Sequence, residues 1–147
     1  PASFAGGGLE LMQFWVALPE ADEECEPAFT HYGPEALPLV PATTPMAEVI
    51  LVMTARGFGV AGVTDAEGRL TGVISDGDLR RKMIGLMDHV ASDVATRDPV
   101  TITATTPAAE ALAIMNQRKI GALFILADDR KPLGILHIHD CLRAGVA

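Results

Sequence analysis

Residues 42–81 read ATTPMAEVILVMTARGFGVAGVTDAEGRLTGVISDGDLRR, and residues 104–143 read ATTPAAEALAIMNQRKIGALFILADDRKPLGILHIHDCLR. The two stretches align without a gap at a constant offset of 62. Ala42-Thr43-Thr44-Pro45 matches Ala104-Thr105-Thr106-Pro107. Glu48, Met53, Arg56 and Gly59 match Glu110, Met115, Arg118 and Gly121, and Gly72, Asp78 and Arg81 match Gly134, Asp140 and Arg143. A unit present twice predicts a pseudo-symmetric pair in which each copy buries the other's apolar face. It also predicts a cleft between the copies with two related sites.

Each copy has the order β-α-β-β-α. A short apolar strand is expected at residues 37–40 and again at 100–103. Thr44 and Thr106 read as helix N-caps, with Pro45 and Pro107 at the first helical position, where a missing N–H costs nothing. Glu48 and Glu110 fall in the first turn, where a carboxylate suits the helix dipole. Val49, Ile50 and Met53, and Ala111, Leu112 and Met115, recur at helical spacing. Gly57 is a natural stop for the first helix; Lys119 stands at its place in the second copy, so that helix is expected to end differently. Strands follow at 59–64 and 70–75, and at 121–127 and 132–137, joined by hairpin loops at 65–68 and 128–131. Second helices are expected to begin near Asp76–Asp78 and Ile138–Asp140. Between the copies, Gly85 is expected to end a helix and Asp88–Val94 to form a further turn.

The chain has 147 residues, 49% of them apolar, enough for one compact body with a real core. Its net charge of -8 argues against nucleic acid and against attraction to an anionic membrane. An anionic ligand would need a local cluster of donors acting against that field. Cys25 and Cys141 form neither a disulfide framework nor a metal spacing and read as reduced thiols of a cytoplasmic protein. The apolar run from Leu9 to Leu18 is too short to span a bilayer and lacks the basic flank of a signal peptide. Gly6-Gly7-Gly8 reads as a flexible stretch, and residues 21–26 (ADEECE) as a solvated acidic run. The chain begins at Pro1, as expected of a fragment of a longer protein.

The strand ends Gly72-Val73-Ile74-Ser75-Asp76-Gly77-Asp78 and Gly134-Ile135-Leu136-His137-Ile138-His139-Asp140 resemble the signature of tandem CBS domains, the Bateman module. The resemblance covers residues 37–146. It implies an α/β (α+β) fold of two pseudo-symmetric CBS units, each β-α-β-β-α, packed through their sheets. The corresponding domains are an N-terminal linker at 1–36, a first unit at 37–84, an inter-unit linker at 85–98 and a second unit at 99–147. More narrowly, ISDGDLRR and ILHIHDCLRAGVA resemble the C-terminal CBS pair of bacterial D-arabinose 5-phosphate isomerases of the Kdo and lipopolysaccharide pathway. Those enzymes carry a sugar-isomerase (SIS) domain ahead of the pair, and nothing in this sequence is long enough to be one. Residues 1–36 do not match the expected linker, and Ala95 stands where that family often has Met.

CBS pairs commonly bind nucleotides in the cleft between units. The N–H groups exposed at the helix start after Ser75 favour an anion, and the Ser75 hydroxyl adds a donor or acceptor. Asp78 can accept from both hydroxyls of a ribose diol, and Asp140 repeats the geometry. Arg81, Lys82, Lys119 and Arg143 are placed to neutralise phosphate. The backbone at Gly59, Val60 and Ala61, and at Gly121, Ala122 and Leu123, can approach a base or sugar closely because glycine leaves room. Thr44, Asp76, Thr101, Ile120, His137 and His139 complete the candidate set. The competing reading is that Asp78 and Asp140 only suit a helix N-terminus and that Ser75 only caps it. His137 replaces Ser75 in the second copy, so the two sites are expected to be unequal. His137, His139 and Asp140 could face a metal, but no supporting ligand cluster accompanies them, and no metal or cofactor is expected. His31 and His89 read as surface residues. No nucleophile–base–orienter set and no phosphate-binding Gly-Lys-Ser/Thr loop is visible, so no catalytic residue is assigned. The resemblance implies a regulatory module attached to an isomerase and working as a homodimer. Its ligand would be CMP-Kdo, the activated end product, or otherwise AMP or ATP. The alternative is a dimerisation scaffold without a ligand.

Overall fold

In the computed structural model, which describes residues 34–145, the two copies become two sheets with helices on their outer sides. The first copy contains β1 (Leu39–Pro41), α1 (Met46–Arg56), β2 (Val60–Thr64), β3 (Leu70–Ser75) and α2 (Asp76–Arg81). A connecting segment follows, with α3 (Ala91–Val94) and β4 (Thr96–Arg97). The second copy contains β5 (Thr101–Thr103), α4 (Ala108–Arg118), β6 (Ala122–Leu126), β7 (Pro132–His137) and α5 (Ile138–Arg143). The first strand of each copy runs parallel to the second, and the second and third form an antiparallel hairpin. The repeat extends to fine detail: both hairpins carry a bulge at equivalent places, Val63/Thr64 and Ile125/Leu126.

The two long helices each turn one apolar stripe onto their own sheet. Met46, Val49 and Met53 of α1, and Ala111, Leu112 and Met115 of α4, are buried at helical spacing. The opposite sheet faces meet between the copies. Leu37, Leu70, Phe124, Leu126 and Ile135 form one buried cluster drawn from both units, each large side chain contributing about 1.5–3 kcal/mol on burial. The backbones also join there: the Leu70 N–H donates to the Arg130 carbonyl at 3.0 Å, and the Arg130 guanidinium returns a bond to the Leu70 carbonyl at 3.2 Å. Gly62 permits this approach. A Cβ on it would stand 2.8 Å from Leu39, 2.9 Å from Leu70 and 2.9 Å from the Phe124 ring.

Several local expectations change. Helix α1 begins at Met46 and α4 at Ala108, so Pro45 and Pro107 hold the N-cap position, and neither is capped by a side chain. Thr44 and Thr106 lie one residue too early; the Thr106 hydroxyl instead accepts from the Thr103 N–H. Lys119 ends its helix in the same way as Gly57. Both take the left-handed conformation, at φ 56° and 71°, and donate their N–H back into the last turn. Gly68 and Arg130 are a second such pair, at φ 78° and 66°. The segment at 85–98 is structured and belongs to the first sheet. Strand β4 pairs with β3, α3 buries Ala91 and Val94 in the first core, and its backbone bonds to Ala42 and Thr44. Helix α2 stops at Arg81, and Gly85 precedes a 3-10 turn at Leu86–Asp88 instead of ending a helix. The apolar run at residues 9–18, the acidic run at 21–26, Cys25 and His31 lie outside the described residues.

Candidate functional site

Strand β3 delivers Ser75 to the start of α2, where three residues close on themselves. The Ser75 N–H donates to Asp78 Oδ2 at 2.8 Å, the Ser75 hydroxyl donates to the same oxygen at 2.6 Å, and the Asp78 N–H returns to Ser75 Oγ at 3.4 Å. This is a capping box. Asp78 Oδ1 accepts from Arg81 at 2.5 Å and from the Thr96 hydroxyl at 3.0 Å. Burial pushes the Asp78 carboxyl upward, but hydrogen bonds from Ser75, Arg81 and Thr96 outweigh it and hold the group below the usual carboxylate range. The carboxylate thus meets four protein donors, and Thr96 ties the segment between the units to the end of β3.

The second copy is looser. The Asp140 side chain is 32% exposed; it accepts the His137 N–H at 3.2 Å and stands 3.8 Å from Arg143. Nδ1 of His137 accepts the His139 N–H at 3.2 Å. The two imidazoles lie 4.8 Å apart at 33°, one at a strand end and one in the first turn of α5, not alternating on one strand face. Among the described residues no group of three His, Cys, Asp or Glu side chains could hold a metal.

Between the units opens a cleft of about 750 Å³, a volume within the range of small-molecule sites. It gathers Gly59, Val60, Ser75, Asp76, Asp78 and Arg81 from the first unit and Lys119, Ile120, Gly121, Ala122 and His137 from the second. The other candidate residues lie elsewhere. Ala61 is fully buried in the first core. Thr44 offers its carbonyl to Ala91. Lys82 donates to the Asp93 carbonyl. Thr101 is opposite Phe124 in the second sheet, Leu123 is buried, and His139, Asp140 and Arg143 lie on α5 outside the lining. His89 is exposed, 3.7 Å from Asp93. The expected cradle of free helix N–H groups is also largely used. The Asp76 N–H donates to the Gly59 carbonyl at 3.3 Å and the Ile138 N–H to the Gly121 carbonyl at 2.8 Å. The Asp78 and His139 N–H groups go to capping side chains.

The sequence reading missed Phe58, Val73, Gly77, Arg80, Thr96, Asp98, Pro99, Val100, Arg118 and Phe124. Arg80 and Arg118 were visible as neighbours of Arg81 and Lys119. Residues 96–100 reach the cleft only because β4 pairs with β3, which no periodicity announces in two residues. The missed residues change its chemistry. Four cations, Arg80, Arg81, Arg118 and Lys119, face three carboxylates, Asp76, Asp78 and Asp98. Arg81 is matched by Asp78, while Arg80, Arg118 and Lys119 make no ion pair among the described residues. The walls beside them are apolar, from Phe58, Val60, Val73, Ile120 and Phe124.

The CBS domain family model matches residues 35–85 and 91–147. Arabinose 5-phosphate isomerase KdsD of Pseudomonas aeruginosa is 42% identical over 119 residues, covering 79% of this chain and 36% of that protein. The KdsD of Escherichia coli K12 is 34% identical with the same coverage. The chain therefore spans about a third of the length of these curated relatives. In fold it is similar to the crystal structure of CBSX2 in complex with AMP, with a TM-score of 0.67, 23% identity, and coverage of 78% of this chain and 91% of that one. It is also similar to the CBS domain protein PAE2072 of Pyrobaculum aerophilum complexed with AMP, with a TM-score of 0.65, 23% identity, and coverage of 76% and 92%.

Proposed function

The chain belongs to the CBS domain family, and on that premise we propose that it is a regulatory nucleotide-binding pair acting on a D-arabinose 5-phosphate isomerase. The catalytic SIS domain of such a protein would supply the chemistry, in the cytoplasm. The observation that carries this reading is the cleft: among the described residues Arg80, Arg118 and Lys119 stand there without acid partners, in a chain whose net charge is -8. Unpaired cations concentrated in one concavity of an acidic protein select an anionic ligand. The flanking Phe58, Val60 and Ile120 suit a base or sugar face. Asp76 and Asp98 have no side-chain bonds among the described residues and are available to ligand hydroxyls. Asp78 can take a diol only by giving up Thr96 or Arg81.

The favoured ligand is CMP-Kdo, with AMP or ATP as the alternatives, because the two KdsD relatives, 42% and 34% identical, are arabinose 5-phosphate isomerases. Regulation then requires the ligand to prefer one of two states of the parent. Parallel calorimetric titrations with CMP-Kdo, CMP, AMP and ATP test this. Saturable binding of CMP-Kdo above CMP supports feedback sensing, and preference for AMP or ATP makes the pair an energy sensor. A second reading, a dimerisation scaffold without a ligand, is favoured by the exposed apolar side chains of Met83, Ile84, Met87 and Leu142. Silence with all four nucleotides, together with a dimer in sedimentation, would establish it.

A further inference from the structure

We infer that His137 reads an anionic oxygen of the bound ligand through a neutral imidazole whose Nε2–H points into the cleft, and that this residue makes the two halves of the site unequal. The inference rests on the nucleotide reading above and adds the residue that discriminates. Nδ1 of His137 accepts the His139 N–H at 3.2 Å. A nitrogen that accepts carries no proton, so the neutral ring bears its hydrogen on Nε2. Among the described residues Nε2 has no hydrogen-bond partner, and no buried side-chain nitrogen or oxygen lacks one. That nitrogen is therefore open to the cleft that His137 lines. A Cβ added at Gly121 would stand 3.9 Å from Nε2, so the glycine does not crowd that nitrogen.

The surroundings keep the ring neutral and aim it at negative charge. Burial, then repulsion from His139, hold the His137 imidazole below the usual range, with Asp140 opposing and Arg143 adding to the effect. Arg118 and Lys119, three and two residues before Gly121, line the same cleft and make no ion pair among the described residues. At the equivalent position of the first copy, the Ser75 hydroxyl is spent on Asp78. Of these two equivalent positions, only the one in the second copy presents a free side-chain donor among the described residues.

The test compares wild-type protein with His137→Ser, which keeps a residue able to cap α5 and, bonded as Ser75 is to Asp78, spends its hydroxyl on Asp140 instead of offering a donor to the cleft. Both are titrated with CMP and with AMP, and the ring nitrogens of His137 are followed by ¹⁵N NMR. The free wild-type protein is expected to show the proton on Nε2. Saturation with the tighter nucleotide shifts that Nε2–H resonance, and His137→Ser lowers the affinity about tenfold, the effect of one hydrogen bond to a charged group. A proton on Nδ1 in the free protein overturns the inference, as does equal affinity of the two proteins, and the nucleotide reading survives either result. Absence of saturable binding by the wild-type protein overturns that reading and this inference with it.

Discussion

Replacing Asp78 and Asp140 by alanine is the same substitution at two positions related by the repeat, and the structure predicts unequal costs. Asp78 is 7% exposed and holds four donors. Its loss removes the reciprocal cap, for about 1 kcal/mol, and strands the Ser75 N–H and the Thr96 hydroxyl, for roughly 2 kcal/mol more. The expected destabilisation is about 3 kcal/mol, or a fall in Tm of about 12 °C for a domain of this size. Asp140 accepts one backbone N–H and has Arg143 only at 3.8 Å across an exposed edge. Its loss should cost under ~1 kcal/mol, because exposed ion pairs contribute little. Urea unfolding of both variants, with thermal melts alongside, measures the difference. Asp78→Asn, which keeps an oxygen for part of the network, should recover some of the loss. Equal costs for the two alanine variants would refute the argument that Asp78 is a structural hub and Asp140 is not.

Lys119 holds a left-handed conformation at φ 56° that costs a side chain about 1 kcal/mol relative to glycine. Lys119→Gly should therefore raise stability by up to ~1 kcal/mol while weakening anion binding, as read by melting and titration of the same variant. Gly62→Ala would drive a methyl into Leu39, Leu70 and the Phe124 ring at the unit interface. It should destabilise by about 1–3 kcal/mol in denaturant unfolding. Since the folded-state pKa of Asp78 is depressed, its contribution is fully present above the ordinary value of 3.8 and is lost as pH falls through the folded value. Asp78→Asn should accordingly flatten the decline of stability below pH 3.8, measured by melting across an acid series.

The offset of 62 made the architecture legible, because a gapless repeat fixes the order of elements, and burial at Val49, Met53, Leu112 and Met115 follows from spacing alone. What the sequence hid is tertiary. Strand β4 is two residues long, with no alternation to see, yet it places Thr96 on Asp78 and Asp98 at the cleft. The choice between cap and ligand for Ser75 and Asp78 was left open by residue type. The hydrogen bonds settle how those groups are spent in the folded chain: on each other, on Arg81 and on Thr96. Lys119 looked like a departure from the helix stop because propensity favours glycine there, whereas the backbone imposes the same left-handed turn on both copies. The cations split for a geometric reason: Lys82 follows the end of α2 and reaches Asp93, while Arg80 and Arg118 open on the cleft.

The central claim is that the cleft binds an anionic nucleotide through cations left unpaired by the fold. Its most direct test is calorimetric titration of the wild-type chain and of an Arg118→Ala/Lys119→Ala variant with whichever of CMP-Kdo, CMP, AMP and ATP binds most tightly. The account predicts saturable binding by the wild type and a loss of about 10- to 100-fold in the variant, as expected when two charge-assisted contacts are removed, with the melting temperature maintained. Unchanged affinity in the variant, or no saturable binding of any of the four to the wild type, would contradict it.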